Sequence, residues 1–230
     1  MRVFLDLETI CCPDSRQLNP NLVSKLRRKD RGPQPLPENT NLQEQIRETA
    51  LIPEYGQILA VGLIIEEKSQ LLHAGVLGRD RQTMLFHSDE RRTLKALWNL
   101  LRGFHENRDL IVAHNAEFDI SFLHKRSVIC GIKPSLRMDV PRYRSSHIFC
   151  TMKAWDLYCW RPGLKLSELA EVLRLSSGKL DGLDGSRIED MYRKGSAEAH
   201  QQIADYCMRD VEITREIYYR MSFEQGASLK

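Results

Sequence analysis

The 230-residue chain is long enough for one well-cored domain or two small ones, and its 42% hydrophobic and 28% charged content fits a globular protein in water. No apolar run reaches the roughly 18 residues of a membrane span, and the N-terminus shows no signal-peptide pattern. A net charge of +3 permits a polyanionic partner without demanding one, and six cysteines (Cys11, Cys12, Cys130, Cys150, Cys159, Cys207) without C-x-x-C spacing point to a reduced, cytoplasmic setting.

RVFLDLET (2–9) reads as a strand whose alternation puts Val3, Leu5 and Leu7 on one face and Phe4, Asp6 and Glu8 on the other. Two carboxylates side by side on so apolar a strand need compensation by basic side chains or by a cation. Residues 11–54 are polar, Pro-rich and carry the basic run KLRRKDR (25–31), which reads as a long insertion leaving the core and returning to it. For that run, a solvated face and phosphate tracking of a single strand are the two alternatives.

QILAVGLIIEE (57–67) and QLLHAGVLG (70–78) predict two strands joined by a tight turn near Lys68 and Ser69. Helical spacing of Leu94, Leu97, Trp98, Leu101 and Phe104 predicts a helix over 88–104. LIVAHN (110–115) suits a short buried strand, followed by a helix over 116–130. Residues 136–160 mix short strand-like and helical pieces. LKLSELAEVLRL (164–175) predicts an amphipathic helix, 176–185 a loop, and 197–221 the last long helix. There is no internal repeat. Strands first, then alternation, then helices argue for an α/β domain with a mixed sheet over 1–222 and a short tail over 223–230.

Acids recur where apolar residues belong. Asp119 sits beside Phe118 at the edge of the buried side of its helix. The stripe Ile203, Tyr206, Cys207, Ile213, Thr214, Ile217 and Met221 has Asp210 in a core-facing slot, with Tyr206 one turn before it. Each signal alone is weak: D-x-E is common, Asn115 could simply cap the helix that follows it, and tyrosines often pack at a core edge. Together, four carboxylates from three elements share one destination. Hard divalent cations such as Mg²⁺ or Mn²⁺ prefer oxygen ligands, and two of them about 3.5–4 Å apart suit phosphodiester hydrolysis.

At these residues the chain resembles the DEDD 3′–5′ exonuclease superfamily. The motifs are Asp6-Leu7-Glu8-Thr9, then His114-Asn115-Ala116-Glu117-Phe118-Asp119, then Tyr206-Cys207-Met208-Arg209-Asp210. Tyrosine four positions before Asp210 marks the DEDDy branch; the DEDDh branch would want histidine where Asp205 stands. PEYGQILAVGL, LKLSELAEVL and ADYCMRDVEITREIY extend the likeness to stand-alone exonucleases related to the proofreading domain of family B DNA polymerases. It is weak over 11–54 and 136–160.

The resemblance implies a ribonuclease-H-like mixed sheet flanked by helices. It also implies two divalent metal ions, Mg²⁺ or Mn²⁺, held by Asp6, Glu8, Asp119 and Asp210, with Tyr206 placing the attacking water. A phenol of pKa about 10 suits orientation better than proton abstraction. Thr9, His114, Asn115 and Phe118 would surround the 3′-terminal nucleotide, although His114 serves equally as a structural histidine. The partner expected is nucleic acid, single-stranded DNA first and RNA second, with no membrane; oligomeric state is not legible. A binding or assembly module on the same fold would normally lose an acid, and none is lost here.

Overall fold

Lys68 and Ser69 both adopt left-handed backbone (φ 50 and 61), closing a two-residue hairpin whose twist matches its strands. The hairpin joins β2 (Gly56–Glu67) to β3 (Gln70–Leu77). The computed structural model describes residues 1–11, 47–138, 147–159, 163–175 and 185–226. Most of the expected insertion (12–46, with the basic run), the loop 176–184 and the tail 227–230 lie outside the described residues.

The sheet has the order β3-β2-β1-β4-β5, with β1 (Arg2–Cys11) at its centre, β4 spanning Leu110–Ala113 and β5 spanning Ile148–Cys150. β1 pairs antiparallel with β2, and β2 with β3; β1 with β4 and β4 with β5 are parallel. This mixed sheet flanked by helices is consistent with the ribonuclease-H-like α/β fold expected.

Val3, Leu5 and Leu7 pack against α1 (Glu90–Leu100) and α2 (Ala116–Ile129) through Leu94, Leu97, Trp98, Ile120 and Phe122. Phe4, Ile64 and Val112 face the long C-terminal helix, packing on Val211, Tyr218 and Tyr219. Residues 136–160 supply β5 and, directly after it, α3 (Thr151–Trp155).

The predicted helix over 164–175 is shorter. Glu168 accepts from the Lys165 N–H (2.7 Å) and starts α4 (Leu166–Val172), while Arg174 turns left-handed (φ 54) and stops it. Helix α1 likewise ends at Leu100 and passes into a 3₁₀ turn, Leu101–Gly103. A short α5 (Ile188–Lys194), absent from the sequence reading, ends at left-handed Gly195 (φ 67). Ser196 then caps α6 (Ala197–Ser222), its hydroxyl accepting from the Ala199 N–H at 3.2 Å.

Candidate active site

Gly62 stands opposite Asp6 in the β1–β2 register. A Cβ there would lie 2.7 Å from the Val211 side chain and 2.9 Å from Cys207 Sγ. Only a residue without a side chain lets α6 approach so closely, and that approach carries Tyr206 and Asp210 to the acid pair of β1. Past Glu8 the pairing slips: Glu8 faces Ala60 but Thr9 faces Ile58. The bulge at Leu59 puts Leu59 beside Ala60 on the side where Ile10 packs with Ile188 and Ile203.

Asp119 arrives from the other side. β4 pairs with Arg2, Val3 and Phe4 of β1, so among the described residues the edge of β1 beyond Phe4 has no strand pairing on that side. The chain leaves β4, turns at Asn115 and enters α2, whose first turn holds Asp119. Its own N–H and the Leu7 N–H, which also acts on Asp6, favour its charged form. Four carboxylates from β1, α2 and α6 are thereby brought within electrostatic reach of one another.

Their environment opposes ionisation. Burial, reinforced by Glu8, Asp119 and Asp210, raises the Asp6 carboxyl well above the usual carboxylate range. Burial also raises Glu8 well above that range, with Asp210 and Asp119 adding to it. Asp119 is pushed up to about 8 by burial, the two backbone N–H groups pulling the other way. Asp210 is pushed up to about 6, again by burial, while the neighbouring Tyr206 hydroxyl and Arg209 restrain the rise. Burial first, and then the same acids, drive the Tyr206 phenol far up, so it is a still poorer base than a free tyrosine.

Asp6, Glu8, Thr9, Phe118, Tyr206 and Asp210 line one cavity of about 860 Å³. Thr9 and Phe118 thus lie where a terminal nucleotide was expected. His114 and Asn115 are not among the lining residues. The His114 ring is held on both nitrogens, Nδ1 by Thr151 Oγ1 and Nε2 by the Leu164 carbonyl, each at 2.9 Å. It ties the end of β4 to α3 and to the approach to α4, the structural side of the alternative. Asn115 occupies the N-cap position of α2, is exposed, and makes no side-chain cap hydrogen bond.

Sequence reasoning missed Gly62, because a close approach between elements 145 residues apart has no local signature. It also missed the remaining cavity walls: Arg47, Glu48, Ala50 and Leu51 on one side, and Gly185, Ser186, Arg187, Glu189 and Asp190 on another.

The donor set fits hard divalent cations. Asp6 and Glu8 offer carboxylate oxygens, and no ion pair among the described residues reaches Asp6, Glu8 or Asp119. Cys207 Sγ lies within 4.8 Å of the Asp6 and Glu8 ligand atoms. Burial and the neighbouring acids hold its thiol well above the usual range, and hard cations prefer the carboxylate oxygens to a thiol.

Residues 51–229 match a protein family described as a predicted 3′–5′ exonuclease related to the exonuclease domain of PolB. The matched span contains Asp119, Tyr206 and Asp210 and begins after β1, so Asp6 and Glu8 lie before it. A search of curated proteins found no match.

Proposed function

The chain belongs to the family of predicted 3′–5′ exonucleases related to the exonuclease domain of PolB, and on that premise we propose a metal-dependent enzyme that trims single-stranded or frayed DNA from its 3′ end. Its products would be 5′-mononucleotides, and its working unit the single domain 1–222. One observation supports the reading above the others: four carboxylates from three elements converge, Asp6, Glu8 and Asp210 lining one cavity with Asp119 buried within electrostatic reach of them, all with ionisation disfavoured.

In this reading Asp6, Glu8, Asp119 and Asp210 hold two divalent ions, Mg²⁺ or Mn²⁺, which supply Lewis acidity and charge neutralisation to a phosphodiester. Tyr206 keeps its proton beside Asp210 and orients the attacking water. Thr9 and Phe118 shape the wall against the terminal nucleotide. The thiols of Cys11, Cys130, Cys150, Cys159 and Cys207 are free, which suits a reducing cytoplasmic setting; no helix among the described residues is long and apolar enough to cross a membrane.

The test uses 5′-labelled linear strands of DNA and RNA and a closed circular single strand, with Mn²⁺, Mg²⁺ or EDTA. Stepwise shortening of the linear DNA from a free 3′-hydroxyl, survival of the circle, and silence in EDTA are expected. Blocking the 5′ end should change nothing, and Asp210→Ala controls for contaminating nuclease. Faster trimming of RNA would move the substrate to that polymer, and cutting of the circle would mean an endonuclease.

A further inference from the structure

Asp6, Glu8 and Asp210 line the cavity with Asp119 buried beside them, and more acids than cations stand on its walls. Beyond Asp6, Glu8 and Asp210 its walls carry Glu48, Glu189 and Asp190, and the cations lining it are Arg47 and Arg187. Two divalent ions would offset the acids of the floor, which leaves the wall arginines to meet a polyanionic strand. Glu189 is already engaged, accepting from the Cys11 backbone N–H at 3.2 Å and from Arg193. Asp190 is engaged by Arg47 alone in the ion pairs of the described residues, at 2.8 Å.

That pair spans two walls. Arg47 comes just before the 3₁₀ turn Thr49–Leu51, which is fixed beside β1 by fully buried Thr49; Asp190 lies in the first turn of α5. Both side chains are about half exposed, 54% and 45%. An exposed pair of this kind is weak, so the guanidinium can change partners at little cost. Guanidinium is also the side chain best matched to a phosphate, through paired N–H donors.

Resting on the reading of this site as a 3′–5′ exonuclease, we infer that Arg47 is a strand-binding residue that exchanges Asp190 for a backbone phosphate of the bound nucleic acid. Asp190 holds the guanidinium at the cavity wall when no strand is present and competes with the strand for it. The specificity this confers is for a chain of phosphates rather than for an isolated nucleotide, because the ions already serve the phosphate being cut.

The experiment measures binding of a dye-labelled single-stranded DNA to the full chain by anisotropy in Ca²⁺, at several salt concentrations. Steady-state cleavage in Mn²⁺ follows as a second readout. Arg47→Gln should weaken binding about tenfold and reduce the log–log salt slope by about 0.7, with KM raised and kcat nearly unchanged. Arg47→Lys should recover part of the affinity, and Asp190→Asn should move binding the opposite way, tightening it. Unchanged affinity and salt slope in Arg47→Gln would overturn the inference, as would weaker binding in Asp190→Asn, which would make the pair a structural clasp. Binding is read without turnover, so a wild-type chain that cleaves nothing would refute the exonuclease reading while the anisotropy still decided the role of Arg47.

Discussion

Two sets of buried carboxylates occupy this sheet, and they are solved in opposite ways. Glu90 and Glu66 are paired: Glu90 receives Arg126 and the Ile58 N–H, and Glu66 receives Arg215 and the Tyr219 hydroxyl. Glu8 and Asp119 are just as sequestered, and Asp6 is partly buried beside them, yet their neighbours are other acids. A buried acid with its guanidinium is part of the architecture; buried acids that face one another store repulsion that a cation relieves. The contrast separates structure from function more sharply than burial alone does.

Removing one partner should expose that difference most strongly. Arg126→Ala should cost about 3–5 kcal/mol, because it leaves Glu90 buried without its cation. Asp119→Asn, measured beside it by urea denaturation in EDTA, should cost nothing or stabilise, while cutting nuclease activity by about a thousandfold. If the two variants lose similar stability, the two sets of acids are not different in kind.

The second prediction is the pH dependence of the metal-free protein. Carboxyls whose folded pKa is raised bind more protons when folded than when unfolded, so their contribution is intact below the ordinary value of 3.8 and is lost as pH climbs through the raised one. In EDTA the melting temperature should therefore fall between about pH 4 and about pH 8, through Asp210 near 6 and Asp119 near 8. Mn²⁺ should flatten that fall, and Asp119→Asn should remove its upper part. A Tm that rises over this interval would contradict the electrostatics of the site.

Smaller effects sharpen the edges of the comparison. Tyr206→Phe should slow turnover about ten- to a hundredfold with Mn²⁺ affinity nearly unchanged, as expected of a group that orients water. A large loss of affinity in a Mn²⁺ titration would instead put the phenol among the ligands. His114→Ala should cost about 1–3 kcal/mol, by leaving Thr151 Oγ1 and the Leu164 carbonyl without their partner, and should leave KM for the strand alone. A raised KM at unchanged stability would return His114 to the substrate.

What could be read from the chain and what could not divides along physical lines. Asp6, Glu8, Asp119 and Asp210 were legible because each violates the apolar pattern of its own element, a local signal at period 2 or 3.6. The hairpin at Lys68 and Ser69 was legible from the alternation on either side. Gly62 was not, since the helix it admits comes from α6, far along the chain. Nor was α5, whose seven residues are too few to display a period, nor β5, whose three residues owe their conformation to pairing with β4. The walls bearing Arg47 and Asp190 belong to this class: they are brought to the cavity by the sheet and advertise nothing in sequence.

The most direct test of the contrast between the two sets of acids is a calorimetric Mn²⁺ titration near pH 6.5, repeated in buffers of different ionisation enthalpy to count protons. Ions entering a site of protonated carboxyls must displace those protons. The wild type should take up two Mn²⁺ with net proton release, Asp119→Asn should lose ion and protons together, and Glu90→Gln should titrate like the wild type. Absence of Mn²⁺ uptake, or uptake without proton release and indifferent to Asp119→Asn, would contradict the account.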